Sequence, residues 1–135
     1  MDLQVLEIRN SDDLDRTLRS GGQGPPGALV QLSSPTFELH AGQIAEFTLR
    51  RRVPAISMSS RFTDAGGLMA YGPSRPEFGR RLAVLIDKIL KGASPGELPI
   101  EQPTKFELIV NLRAARALGL ALPPSLLARA DRVIQ

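Results

Sequence analysis

The stretch LMAYGPSRPEFGRRLAVLIDKILKG, residues 68–92, decides how the rest of the chain is read. Its first five residues are a β-like run that ends at Pro73. Ser74 and Glu77 then stand three apart, the spacing of a capping box in which each side chain satisfies the other's backbone N–H. Behind them Phe78, Leu82, Leu85, Ile86, Ile89 and Leu90 recur at offsets of 4, 7, 8, 11 and 12 from Phe78, one face of a 3.6-residue helix. Lys88 and Lys91 complement the carbonyl end of that helix, and Gly92 stops it. A strand leading straight into an amphipathic helix is the repeating unit of a layered α/β domain.

Upstream the same alternation continues. LQVLEI, residues 3–8, has β spacing and predicts a strand. Ser11 is the expected N-cap of a helix whose first turn holds Asp12, Asp13 and Asp15, with Leu14 and Leu18 sharing a face. Gly21 and Gly22 should stop it, and GGQGPPG over 21–27 reads as a turn. GALVQL is a short unbroken apolar run, which predicts a strand covered on both faces. Ser34 as cap and Pro35 as first residue open the next helix, carrying Phe37, Ala41, Ile44, Ala45 and Thr48 at helical spacing. VPAIS, 53–57, predicts a further strand, followed by a polar loop. Downstream, ASPGELPIEQP over 93–103 is a proline-bearing connector, KFELIVNL the last strand, NLRAARALGL helical, and 125–133 a closing helix. The fold class that results is α/β: a layered, mostly parallel sheet with flanking helices.

Composition narrows the function. The chain has 135 residues, room for one domain with a real core. Its net charge is +3, with 14 of the 17 basic residues Arg. These are spread along the chain, and Arg50, Arg51 and Arg52 fall at a helix end where cations suit the dipole. No aromatic–Arg platform for stacking bases is present, so no nucleic-acid partner is expected. No apolar run approaches the ~20 residues of a membrane span. Cysteine is absent, and His40 is the only histidine, so neither a thiol nucleophile nor a zinc site is expected. GGQGPPG lacks the Lys-Ser/Thr of a phosphate-cradling loop, and no G-x-S-x-G elbow occurs. The expectation is therefore a protein without metal or cofactor and without catalytic activity.

Binding fits better. Open α/β sheets take ligands at the carboxyl ends of their strands. Two loops meet that rule: Ser33, Ser34 and Thr36 after one strand, and Ser57, Ser59, Ser60 and Arg61 after the next. Their short hydroxyls suit polar or anionic groups, or else only cap helices and turns.

From AGGLMAYGP through LIDKILKG and LPIEQPTKFELIVNL to the tail LGLALPPSLLARAD, the chain resembles the C-terminal part of ABC-transporter substrate-binding proteins of the tryptophan/tyrosine-binding type. The upstream DDLDRTL, ALVQL and VPAIS segments follow in the order of that family. The resemblance implies a type I periplasmic-binding-protein fold, in which two α/β lobes close on a small solute and hand it to an ABC permease. It implies that residues 1–66 are βα units of the second lobe. Residues 67–103 would return to a first lobe missing from this chain, and 104–135 would be the closing strand and helices. Carried over by position, the candidate ligand-binding residues are Ser34, Thr36, Ser57, Ser59 and Tyr71. The chain departs from the family at Ser57-Met58-Ser59, where an aromatic residue is usual, and at Ala70, where serine is frequent. A truncated solute-binding protein for a small organic solute such as an amino acid is the leading expectation, impaired without its first lobe. The alternative is a cytosolic effector-sensing or protein-interaction α/β domain. The resemblance implies a periplasmic location, whereas the N-terminus shows no basic-then-apolar signal layout, which favours the cytoplasm for a chain made as it stands. Without a first lobe the face of Phe78, Leu82, Leu85, Ile86 and Ile89 would lack its cover, so a homodimer or segment exchange through it is expected.

Overall fold

Residues 3–20 and 27–135 are described in the computed structural model. The apolar runs 28–32 and 53–57 become two short strands, β1 (Leu29–Gln31) and β2 (Ala55–Ser57), paired in parallel with Leu29 opposite Ala55 and Gln31 opposite Ser57. β3 (Met69–Pro73) adds in parallel to β2, and β4 (Phe106–Asn111) runs antiparallel to β3 over five residue pairs. β5 (Arg132–Ile134) closes the order β1-β2-β3-β4-β5, parallel to β4. This is the layered, mostly parallel sheet with flanking helices that the sequence implies, and the β3–β4 pair is its one antiparallel seam.

Helices α1 (Ser11–Ser20), α2 (Pro35–Leu39), α3 (Ala41–Arg50) and α4 (Ser60–Asp64) form the main layer. Leu14, Ile44, Ala45, Ala55 and Phe62 are its buried centre, with Ile8, Leu18, Leu29 and Phe37 packed around them. A second cluster joins Leu68 to Ala114 and Ala115 of α6 (Leu112–Leu118), with Leu49 and Leu122 against it. Asn111 holds the start of α6: its side-chain oxygen accepts from the N–H groups of Arg113 and Ala114 at 3.0 and 3.2 Å. Its amide donates to Thr63 O at 3.4 Å, so one side chain ties β4, α4 and α6 together. Gly119 ends α6 with φ +72, the left-handed cap that glycine adopts without strain.

Several expectations are corrected. Residues 3–8 form no strand: no ladder partner takes them up among the described residues, and Leu3 is 82% exposed. Asn10 rather than Ser11 caps α1, its side chain accepting from Asp13 N at 2.9 Å. The expected stop and turn at 21–26 lie outside the described residues. β1 is an edge strand with an open face, Val30 being 66% exposed, so its apolar run does not mark burial on both sides. The single helix expected after Ser34 divides at His40, whose ring nitrogen Nδ1 lies 2.8 Å from Thr36 O. The polar loop after 57 contains α4, and its Phe62 is wholly buried. The closing helix shrinks to α7 (Pro124–Leu127), because 132–134 pair with β4. Asp131 prepares that pairing, its carboxylate accepting Leu108 N–H at 2.8 Å while its own N–H donates to Leu108 O.

The helix read first from the sequence is present as α5 (Arg75–Leu90), but no residue of it is buried. Phe78, Leu82, Ile86 and Ile89 are exposed and Leu85 half-buried, so the expected uncovered face is there. The capping box does not form: the Ser74 hydroxyl donates to Glu107 Oε1 of β4 at 2.6 Å instead. Glu77, freed from the cap, pairs with Arg80 and Arg81. Beyond a 3-10 turn at Pro95–Glu97 the connector is irregular until β4, as its prolines lead one to expect.

Candidate functional site

The carboxyl ends of β1, β2 and β3 lie side by side, and the loops leaving them carry the hydroxyls singled out above. The crossing is close. A Cβ on Gly72 would sit 1.9 Å from the Met58 carbonyl oxygen, so only glycine lets β3 pass beneath the loop after β2. Met58 N–H donates to Gln31 O at 3.1 Å, fastening the same loop to β1.

Ser57 and Ser59 are both buried in this loop. The Ser57 hydroxyl oxygen accepts from Ser59 N–H at 3.0 Å, and the Ser59 oxygen accepts from Arg61 N–H at 3.2 Å, capping α4. Each oxygen is thus used as an acceptor, which leaves its O–H to donate. Ser34 caps α2 by position, in extended backbone geometry but with no side-chain hydrogen bond, and Thr36 follows in the same first turn. Both are half-buried. Gln31, the register partner of Ser57, is only 6% exposed, and its Oε1 has no hydrogen-bond partner. A buried carbonyl without a donor is uncommon, and it stands at the strand end where a ligand group or water would supply one.

Tyr71 is placed differently. The register Ser57↔Ala70 sets Ser57 on the face of Ala70, and strand alternation turns Tyr71 to the opposite face. There its ring stacks on Phe106, centroids 5.8 Å apart at 29°. The structure therefore brings Ser34, Thr36, Ser57 and Ser59 to one edge of the sheet and sets Tyr71 on the other face of β3.

Charge enters from three elements. Glu38 of α2 holds Arg61 of α4 at 3.4 Å and Arg75, the first residue of α5, at 3.0 Å, both on Oε2. Arg61 was legible beside the serines. Glu38, Arg75 and Gln31 were not, since residues 31, 38, 61 and 75 have no sequence spacing that would announce their convergence. Among the described residues no group of three or more His, Cys, Asp or Glu is placed to hold a metal ion.

The edge is shallow. Met58, Ser60, Gly72, Pro73, Glu107 and their neighbours enclose about 10 Å³, space for one water at most. A groove of about 170 Å³ lies elsewhere, between Phe78, Leu82 and Leu85 of α5 and the 101–105 segment. Organic-solute sites run to ~300–1,000 Å³. This edge has the layout of one wall of a cleft.

Comparison with known proteins agrees with that description. A protein from Vibrio cholerae O1 biovar El Tor, described as a conserved domain protein, superposes with a TM-score of 0.83 at 21% identity over 92% of this chain and 42% of its own. An ABC domain from Streptococcus pneumoniae in complex with L-Trp gives 0.85 at 20% identity over 94% of this chain and 43% of its own. A substrate-binding protein with adhesive properties from Clostridium difficile, in its ligand-free open form, gives 0.62 at 20% identity, over 95% and 42%. No curated protein matches. The chain thus spans less than half the length of the solved proteins it resembles, and at these identities they establish its fold. The family described as ABC transporter substrate binding protein matches residues 2–134, and the chain belongs to that family of non-catalytic binding proteins.

Proposed function

We propose that this chain serves solute capture for an ABC importer, contributing one wall of a cleft that takes a small organic solute such as an amino acid. The observation that carries this reading is the edge formed by the ends of three parallel strands, whose loops carry Ser34, Thr36, Ser57 and Ser59, with the Gln31 Oε1 left without a hydrogen-bond partner there. Parallel α/β sheets bind ligands at this edge, and a shallow wall needs an opposing one to enclose a solute. Membership of the substrate-binding family and the L-Trp held by a structural neighbour support the same class of ligand. Residues 1–66 act as second-lobe βα units, 67–103 as the segment that reaches toward an opposing lobe, and 104–135 as the closing part. In the whole protein the permease is the macromolecular partner and the periplasm the location. The β3–β4 seam, where the chain leaves the sheet into α5 and returns, is the hinge of this design.

The apolar face of α5 is the surface the opposing body covers. In the 135-residue chain a second copy supplies that cover. On this face Phe78, Leu82, Ile86, Ile89 and Leu90 together expose apolar surface on the order of 500 Å², within the ~300–600 Å² of the largest patch on ordinary monomers. A standard interface buries ~800 Å² per partner, so this helix provides most of one.

The test is a thermal-shift and calorimetric screen of the chain against the free amino acids. Since the chain has no Trp, a change in the emission of added L-Trp reports its binding with no contribution from protein tryptophan. Saturable binding of at least one amino acid, weakened by Ser57→Ala or Ser59→Ala, is the expected result. A flat screen would remove solute capture by this chain.

A further inference from the structure

We propose that Arg61 and Arg75, gathered around Glu38, form a subsite for the carboxylate of the solute, an inference that rests on the solute-binding role given above and names the ligand chemistry at that site. Two guanidinium groups share a single carboxylate, and that carboxylate meets both through one oxygen, Oε2. The corner therefore holds one net positive charge. Arg61 reaches Glu38 with Nε, and Arg75 with Nη1. A guanidinium carries five N–H donors in a planar fork, so each of these retains most of its donors for another anion. Glu38 shows that the corner accepts a carboxylate between helices α2, α4 and α5, and the charge count admits a second.

The surroundings favour the same chemistry. The oxygens of Ser57 and Ser59 already accept backbone N–H groups, which leaves their hydroxyls as donors. Glu107, which lines the shallow edge with Met58, Ser60 and Gly72, is engaged by the Ser74 hydroxyl, which donates to its Oε1. The Arg61–Glu38–Arg75 corner, with its surplus of one positive charge, favours the carboxylate group of a solute over an uncharged or cationic group. Position matters as well. Arg61 belongs to the body of the sheet, whereas Arg75 opens α5 beyond the end of β3. A carboxylate bound by both spans the hinge, so the same contact that recognises the solute holds α5 against the body. Glu38 performs that duty in the empty chain.

The experiment titrates sodium acetate, at constant ionic strength, into the 135-residue chain while the arginine Nε–H signals are followed by NMR. The chain has 14 arginines, so the other 12 are internal controls. Expected are saturable shifts confined to Arg61 and Arg75, lost from the partner residue's signal in Arg61→Gln and in Arg75→Gln. Glu38→Gln should tighten acetate about fivefold, the factor that a unit charge ~4 Å away amounts to in water. Inorganic phosphate should bind within tenfold of acetate. Uniform or unsaturable shifts across the arginines would overturn the subsite, as would a Glu38→Gln chain that binds acetate more weakly. Phosphate more than tenfold tighter would overturn the assignment to carboxylates. An amino-acid screen in which Arg61→Gln and Arg75→Gln bind like the parent chain would overturn the subsite and leave solute capture standing. A screen in which no amino acid binds, beside a selective acetate response, would remove solute capture alone.

Discussion

Replacing Gly72 with alanine tests the geometry on which the site depends. The added Cβ would lie 1.9 Å from Met58 O and 2.8 Å from Met58 C, and both are backbone atoms that no rotamer change can move aside. A tolerable contact needs ~3.2 Å, so the loop after β2 and strand β3 must part by about 1.3 Å. The β2–β3 ladder has two register pairs, Ile56↔Met69 and Ser57↔Ala70, and a shift of that size lengthens its hydrogen bonds well beyond the 2.7–3.2 Å range. The Met58 N–H bond to Gln31 O, at 3.1 Å, goes with them. Losing about three bonds at ~0.5–1.5 kcal/mol each gives about 3 kcal/mol. For a chain of this length ~1 kcal/mol moves Tm by ~3–5 °C, so Gly72→Ala should melt about 10 °C lower by circular dichroism. Gly79→Ala is the matched control. Gly79 lies inside α5, where an added Cβ would meet nothing within 4 Å, and alanine there favours the helix by ~1 kcal/mol. Its helical signal should stay or rise. If Gly72→Ala melts within about 2 °C of the parent chain, the close passage of β3 beneath Met58 is refuted, and with it the site built around it.

Other substitutions test the remaining supports. Phe62→Ala empties the most deeply buried ring in the main cluster and should cost ~3–5 kcal/mol, read from the urea midpoint at unchanged slope. Asn111→Ala removes the α6 cap and the tie to Thr63 and should cost about 2 kcal/mol, whereas Asn111→Asp, which keeps the cap acceptor, should recover about half of that. Asp131→Ala should loosen β5 by about 1 kcal/mol, seen as faster hydrogen exchange at Leu108 with little change in global Tm. Leu82→Glu places a charge in the exposed α5 face; sedimentation velocity should show the chain shifting to monomer at concentrations where the parent associates, and a parent chain that stays monomeric throughout would remove the second-copy cover.

How far the sequence showed these features depends on whether a residue's role is set locally. The α5 helix was legible because sixteen residues with apolar spacing and end signals need no partner to declare themselves. The strands β1 to β4 were legible as apolar runs, and Ser57 and Ser59 as hydroxyls at a strand end. What failed was each assignment that a distant partner decides. Ser74 had a capping partner three residues on, but Glu107 across the seam bonds its hydroxyl at 2.6 Å. Residues 125–133 have helical spacing, yet Asp131 pins the backbone to Leu108 and turns the tail into a strand on the free edge of β4. Residues 3–8 alternate like a strand, but a strand exists only with a neighbour, and none receives them among the described residues. Five-residue α4 offers too few positions for a period, so Phe62 passed as part of a loop. The same distinction divides the site. Its hydroxyls come from one loop and the next, whereas its charge comes from α2, α4 and α5 meeting at a single oxygen of Glu38. A corner assembled in that way is set by the packing of three helices against one sheet edge, so a change that moves α5, such as an opposing body closing on its apolar face, also moves Arg75 relative to Arg61. In the subsite proposed above, recognition of the anion and the position of α5 are thereby one equilibrium, and a ligand that favours the Arg61–Arg75 approach must favour the matching position of α5 by the same free energy.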